Sequence, residues 1–280
     1  MEGSELKELL SISDKDFVVN VLTFFIKSEI EKAGFKKAVI GISGGVDSAL
    51  SAFLCVRALG KDNVVLISMP YKESSTQSVE DSRLIGKVLG ANFFEMDISP
   101  QIDVYYRRYP NASKLRKGNK MARERMSILY DFAYDNNALV VGTSNKSELL
   151  IGYSTRWGDN AYDINPLGDL YKTQVWEIAK FLGVPEKIVK KKPSADLWPG
   201  QTDEGELGFP YDLLDRILVA YVDLKMRKEE ILSFGFDKSV VHRILNMVRQ
   251  SQYKRKLPIV CKIAQRTVDK DFLYLRDWGI

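Results

Sequence analysis

Histidine is nearly missing from this 280-residue chain, cysteine is scarce, and no apolar run is long enough to cross a membrane. Each absence removes a class of chemistry. His242 is the only histidine, so arrangements needing a second one are excluded, multi-histidine metal sites among them. Cys55 and Cys261 lie far apart and lack the paired spacing that marks zinc or a redox dithiol. Cys55 falls in an apolar helical stretch and reads as core. Apolar runs fall far short of the roughly 18 residues of a membrane span, so no membrane partner is expected. The start, Met1-Glu-Gly-Ser-Glu-Leu-Lys-Glu8, mixes charges and has no signal-peptide pattern. A reducing, cytoplasmic setting fits these features. Charge of one sign is lacking too. The 41 basic and 37 acidic residues leave +4, too little to expect nucleic acid as a partner. Basic residues cluster at Arg107-Arg108, Lys114 to Lys117, Lys190 to Lys192 and Lys254 to Lys256. A solvated surface is expected for Lys190 to Lys192. One or two of the others suit an anionic small molecule. Repeats, low-complexity tracts and heptads are absent.

The most informative stretch present is Lys37-Lys-Ala-Val-Ile-Gly-Ile-Ser-Gly-Gly-Val-Asp-Ser-Ala-Leu50. Ala38 to Ile42 is a short apolar run, as in a parallel strand buried on both faces. Ser43 to Ser48 is a tight turn, and helical spacing follows at Leu50, Phe53, Leu54 and Leu59, ending at Gly60. A strand, a glycine turn and a helix start make an anion cradle, because amides approach phosphate oxygens there and the helix dipole favours negative charge. The Lys-Ser/Thr ending of a Walker A loop is missing. An ordinary strand-to-helix turn without a ligand is the plainer alternative.

Further strands are expected at Val64 to Met69, Asn92 to Ile98 and Ala138 to Val141. Helices are expected at 14 to 33, Ser74 to Leu89 and Asn119 to Tyr134. The first of these helices shows Phe17, Val21, Leu22 and Phe25 as its apolar side. The alternation predicts an α/β fold: a doubly wound parallel sheet flanked by helices. The second half adds helices at Leu170 to Leu182, Tyr211 to Tyr221 and Asp237 to Met247, a helical C-terminal portion. Pro193 to Pro210 has little periodicity and is long for a structureless loop. Ligands of such sheets bind beyond the carboxyl ends of the strands, where the Ser43 loop and Gly142-Thr143-Ser144 both lie.

Two carboxylates stand at those ends. Asp47 is either a helix N-terminal carboxylate favoured by the dipole or a magnesium ligand facing phosphates; the flanking glycines and Ser48 favour the ligand. Glu148 is a surface residue, half of a helix cap, or a second carboxylate on the same metal, and spacing alone does not choose. Arg123 and Lys172 read, from spacing alone, as exposed charges on helix faces.

The Ser43-Gly-Gly-Val-Asp-Ser48 turn resembles the phosphate loop of the ATP pyrophosphatases. Gly142-Thr-Ser-Asn-Lys-Ser-Glu-Leu-Leu-Ile-Gly-Tyr153 resembles NAD synthetase. So do Gly158-Asp159, the stretch Asp163-Ile-Asn-Pro-Leu-Gly-Asp-Leu-Tyr-Lys-Thr-Gln174, and Lys192-Pro-Ser-Ala-Asp-Leu-Trp-Pro-Gly-Gln-Thr-Asp-Glu204. Lys117-Gly-Asn and Ala122-Arg-Glu-Arg-Met126 complete a set in one order, spanning 37 to about 256. The long matches most resemble the ammonia-dependent branch. The resemblance implies an adenine nucleotide α-hydrolase-like fold, and one synthetase domain over 1 to 280 without a separate glutaminase domain. It implies that ATP, deamido-NAD and ammonia give NAD, AMP and pyrophosphate through an adenylate. ATP positions would be Gly41, Ile42, Ser43, Gly44, Gly45, Val46, Asp47, Ser48, Thr143, Lys172 and Ser194. Deamido-NAD positions would be Arg123, Arg156, Asp163 and Lys254. Asp47 and Glu148 would hold magnesium, and Asp47 and Lys172 would be catalytic. A homodimer is also implied, with Phe17, Val21, Phe24 and Phe25 either at its interface or in the core. Three residues depart from the common pattern: Arg156 stands where many relatives have lysine, Tyr253 where many have histidine, and Ser194 where threonine is common. The alternatives are another ATP pyrophosphatase, such as a tRNA-thiolating enzyme or a GMP synthetase subunit, and a non-catalytic adenine-nucleotide sensor. Residues 194 to 209, with Pro199, Gly200, Gly205 and Gly208 as pivots, are expected to form a lid over bound nucleotide.

Overall fold

The computed structural model describes residues 4–198, 200–268 and 271. Pro199, one of the expected pivots, lies outside the described residues. The N-terminal half runs α1 (Ser4–Leu10), α2 (Lys15–Lys32), β1 (Lys37–Gly41), α3 (Val46–Leu59), β2 (Val64–Ser68), α4 (Thr76–Leu89), β3 (Asn92–Glu95), α5 (Ser99–Tyr106), α6 (Lys114–Asn136) and β4 (Ala138–Val140). Then come α7 (Lys146–Ile151), α8 (Lys172–Phe181), α9 (Glu186–Val189), α10 (Asp203–Leu207), α11 (Tyr211–Leu218), α12 (Lys228–Leu232) and α13 (Lys238–Gln250).

The four strands pair in the order β3-β2-β1-β4, and every pairing is parallel. Burial of both faces of a pleated strand explains why Ala38 to Ile40 of β1 and Val64 to Ile67 of β2 are all apolar. Ala38, Ile40, Val64 and Leu66 face one layer, with Val19, Ile26 and Ile30 of α2, Leu50 and Leu54 of α3, and Val175 and Ile178 of α8. Val39, Val65, Ile67 and Val140 face the other, with Ile102 of α5 and Met121 and Ala133 of α6. A further core holds Leu6 and Leu10 of α1 against Leu214, Ile217 and Leu218 of α11 and Val241, Ile244 and Leu245 of α13. The strand order reverses between β1 and β4, so a crevice opens beyond their carboxyl ends.

Several expected elements shift. The third strand stops at Glu95 rather than Ile98, although Met96 N–H still reaches the Ser68 carbonyl at 2.8 Å. Strand β4 stops at Val140, and Val141 makes only an isolated bridge to Ile164. Helix α6 starts earlier than expected because Ser113 caps it, its side chain accepting Arg116 N–H. The Pro193 to Pro210 stretch contains α10, capped by the Thr202 hydroxyl. The expected apolar side of α2 holds for Leu22 and Phe25, which pack on the core, but not for Phe17 and Val21. Val19, Ile26 and Ile30 are buried, whereas Phe17, Val21 and Phe24 are 64%, 47% and 74% exposed. Apolar residues surround most of α2, so periodicity does not select the buried stripe.

Candidate active site

A cleft of about 530 Å³ lies at the strand-order reversal. Its floor is the turn after β1. Gly44 has φ +75°, and a Cβ there would lie 2.3 Å from the Ser78 carbonyl oxygen, so two constraints require glycine. The turn is braced by its own hydroxyls. Ser48 Oγ accepts from Ser43 N–H at 3.2 Å and donates to the Gly45 carbonyl at 3.1 Å. Ser43 Oγ lies 3.1 Å from Ser48 Oγ and accepts from Gly45 N–H at 3.3 Å. Of the eleven expected ATP positions, only Gly44 is missing from the cleft lining, because its Cα packs on Ser78 instead.

The second wall begins after β4. Asn145, fully buried, caps α7 by accepting Glu148 N–H at 3.0 Å, and its amide donates to Asp47 Oδ1 at 2.9 Å. One side chain thus ties the Ser43 turn to the helix that carries Glu148. Lys172 opens α8. It is 2% exposed, which overturns its reading as a surface charge. Its Nζ reaches Asp47 Oδ2 at 2.5 Å and Glu148 Oε1 at 3.2 Å. Burial works against the ammonium, yet Asp47 and Glu148 outweigh it and hold Lys172 protonated, above the usual lysine range. Burial, reinforced by the charges of Asp47 and Asp203 and opposed by Lys172, pushes Glu148 up to about 7.

Asp203, at the start of α10, closes this cluster. It is buried and accepts from the hydroxyls of Tyr153 and Tyr211, each at 3.2 Å. Burial raises its pKa. Tyr211 also reaches Glu148 Oε1 at 3.4 Å. Behind the wall, Asp215 of α11 is fully buried and accepts from Ser147 Oγ at 2.5 Å and Thr173 N–H at 2.9 Å. Ser147 Oγ in turn accepts Lys172 N–H at 2.9 Å, so the starts of α7 and α8 share one anchor. Burial pushes Asp215 up to about 6.

The expected deamido-NAD positions are spread out. Lys254 lines the cleft and donates to the Gly152 and Ser154 carbonyls at 2.7 and 2.6 Å. Arg123, Arg156 and Asp163 do not line it. Arg123 is exposed and donates to the Arg156 carbonyl. The Arg156 guanidinium lies 5.0 Å from the Trp157 ring and 5.5 Å from the Tyr253 ring, with Nε buried and unpartnered. Asp163 accepts Val140 N–H at 2.8 Å and the Tyr130 hydroxyl at 3.3 Å, so it pins the edge of β4.

Four residues that sequence reasoning did not single out belong here: Asn145, Asp203, Arg125 and Lys191. Asn145 stands three residues before Glu148, an N-cap signal that was legible. Arg125 lines the cleft with Nε on the Met69 carbonyl at 2.9 Å; the protein around it lowers its pKa. Lys191 departs from the solvated-surface expectation for Lys190 to Lys192, whereas Lys190 and Lys192 are exposed. Lys191 pairs with Asp81 at 3.1 Å, and that carboxylate is 1% exposed. In the segment expected to form a lid, the Asp196 carboxylate accepts Ser75 N–H at 3.0 Å, and Ser194 Oγ donates to the Gln201 carbonyl at 2.7 Å.

A family model described as NAD synthase matches residues 18–258. The NH(3)-dependent NAD(+) synthetase of Trichlorobacter lovleyi is 48% identical over 270 residues, covering 96% of this chain and 98% of its own. Two solved structures share the fold, each over 90% of this chain and 100% of their own. The NH3-dependent NAD synthetase from Campylobacter jejuni, in complex with the nitrate ion, has a TM-score of 0.77 at 33% identity. The NMN synthetase from Francisella tularensis has a TM-score of 0.81 at 32% identity.

Proposed function

The chain belongs to the NAD synthase family, and from that premise we propose how its cleft makes NAD from deamido-NAD, ATP and ammonia. It is a carbon–nitrogen ligase with ATP as co-substrate. The nicotinate carboxylate attacks the α-phosphorus, the bond to the β-phosphate oxygen breaks, and pyrophosphate leaves into the Ser43 turn. Ammonia then adds to the activated carbonyl, AMP departs with the bonding pair, and one proton is released. Positioning and charge neutralisation carry most of such a reaction. The observation that carries this reading is the Lys172 ammonium, buried beside the phosphate turn between Asp47 and Glu148. Held protonated there, it faces charge building at the α-phosphate.

Asp47 and Glu148 suit magnesium. Their oxygens converge on one ammonium, and Asp203 adds a further negative neighbour. Among the described residues, no group of three or more His, Cys, Asp or Glu is arranged to hold a metal alone. That fits an ion that takes one or two carboxylates and completes its shell with phosphate oxygens and water. Bound there, magnesium would neutralise charge on the departing pyrophosphate.

Lys254, Arg123 and Arg156 supply positive charge for deamido-NAD, and Asp163, exposed, keeps acceptor capacity beyond its two bonds. Ser194 anchors the lid at the ATP end. A homodimer is supported by the apolar side chains of Phe17, Val21 and Phe24 that α2 leaves exposed. No described helix is long and apolar enough to cross a membrane, and two free cysteines support the cytoplasm as compartment. We take residues 1 to 280 to act as one synthetase domain that uses ammonia directly.

The test is incubation of the purified chain with ATP, magnesium, deamido-NAD and either ammonium or glutamine. NAD and AMP should form in equal amounts with ammonium, and little with glutamine once contaminating ammonia is controlled. Binding of ATP without AMP formation would favour a nucleotide sensor. Amidation of the corresponding mononucleotide in preference to deamido-NAD would align the chain with the Francisella protein.

A further inference from the structure

Lys190, Lys191 and Lys192 are adjacent in sequence but not alike in setting. The Lys191 ammonium reaches three oxygens: the Gly44 carbonyl at 3.3 Å, Ser78 Oγ at 3.0 Å and Asp81 Oδ2 at 3.1 Å. Asp81 is sunk in α4, and its other oxygen takes Lys187 Nζ at 2.9 Å and the Gln77 amide at 2.8 Å. A buried carboxylate needs such partners. Two lysines more than satisfy it, so Lys191 has charge to offer elsewhere.

The contact with Gly44 matters most. The Gly44 carbonyl and the Gly45 N–H belong to one planar peptide and point opposite ways. A carbonyl held outward by Lys191 turns that amide inward, where it meets Ser43 Oγ at 3.3 Å. Gly44 carries no side chain to resist the peptide's rotation, so Ser43 Oγ restrains the peptide from within the turn and Lys191 from outside it. Lys191 also lines the cleft, and it stands three residues before Ser194 at the base of the lid.

We propose that Lys191 is a positioning residue for the phosphate turn: anchored by Asp81, it fixes the Gly44–Gly45 peptide with its amide toward the cleft. Its ammonium adds positive charge beside the pyrophosphate portion of ATP. The same side chain therefore links the base of the lid to the part of ATP that becomes the leaving group. The proposal deepens the ATP reading above and rests on it.

Titration calorimetry on the full chain with magnesium tests it, using inorganic pyrophosphate and AMP as separate probes. Lys191→Met should weaken pyrophosphate about tenfold or more, the scale of a lost charged hydrogen bond, and leave AMP within about twofold. Lys191→Arg should recover most of the pyrophosphate affinity. In steady state, Lys191→Met should raise the ATP KM more than it lowers kcat. Asp81→Asn, with Lys191 intact but its anchor weakened, should lose pyrophosphate affinity by a few-fold and serves should Lys191→Met not fold. In the double variant the Asp81 change should add nothing, because its effect runs through Lys191. Wild-type pyrophosphate affinity in Lys191→Met, or equal loss of pyrophosphate and AMP, would overturn the proposal and leave the pair a strut between α4 and the lid base. A wild-type chain that binds neither probe would instead overturn the ATP reading.

Discussion

The cleft and the surface beside it that carries Arg123 and Arg156 are built differently. In the cleft, the side chains around Asp47 and Glu148 already have partners within the protein. Asn145 spends both ends of its amide, Lys172 meets two carboxylates, and Asp215 anchors the starts of two helices from behind. Outside the cleft lining, Arg123 is exposed, Arg156 keeps a buried Nε without a partner, and Tyr253 is 55% exposed. The first is preorganised and the second is unfinished. A preorganised region suits charge that develops during the reaction. An unfinished one suits a large substrate, or a second copy of the chain, that completes it on arrival.

The largest break in that contrast should come from Lys172→Met. It leaves Asp47 and Glu148 facing each other without their shared cation. NAD formation should fall by about 10²-fold or more, the usual scale for losing a preorganised charge. A smaller loss, in AMP formation under saturating substrates, would mean that the wall tolerates repacking.

Next come Asp47→Asn and Glu148→Gln, each expected to remove most magnesium-dependent turnover while the fold survives. The second also carries a pH prediction. Glu148 sits at about 7 in the folded protein against an ordinary 4.5, so the folded state holds the proton more tightly. By linkage, its contribution to stability is greatest below 4.5 and falls as pH rises to about 7. In the magnesium-free protein, the wild-type melting temperature should fall as pH rises toward about 7. Glu148→Gln should melt higher than the wild type at pH 8 while being the poorer enzyme. Equal melting temperatures for both at pH 8 would remove the cost assigned to that charge.

The exposed surface should give smaller and more selective effects. Arg156→Ala should raise the deamido-NAD KM several-fold, on the scale of one partly solvated charge contact, with the ATP KM unchanged. An equal effect on both constants would merge the two regions functionally. Gly118→Ala should be mildest. Its Cβ would lie 2.8 Å from Leu197 Cδ1, a flexible side-chain end in the lid segment. Hydrogen exchange across 194 to 209 should show weaker protection by an ATP analogue with deamido-NAD than in the wild type. Unchanged protection would show that the lid docks without that contact.

The phosphate turn was legible because its chemistry is local: a strand, two glycines and a helix start are contiguous in sequence. The sheet was legible for the same reason, since strands buried on both faces read as nearly continuous apolar runs. What sequence did not reveal comes from distance. Lys191 and Asp81 are 110 residues apart, so nothing near Lys191 distinguishes it from its two lysine neighbours. Asp203 gains its place only when α10 folds against Tyr153 and Tyr211. Phe17 and Val21 of α2 were misread because the helix has apolar side chains to spare. Lys172 read as a surface charge until α7 and α8 converged on Asp215.

Asn145 has a consequence for how this protein ages. Asparagine side chains hydrolyse slowly to aspartate, and here that single change would reverse one contact while sparing another. The oxygen that caps Glu148 N–H would survive. The amide that donates to Asp47 would become a carboxylate pressed against a carboxylate. A molecule damaged in this way would keep its helix and its shape but lose the charge balance around Asp47, Glu148 and Lys172. Full burial and use of both amide ends hold the group in one orientation, away from the flexible backbone that such hydrolysis needs. The side chain that joins the two halves of the site is thereby also protected from becoming its slowest point of failure.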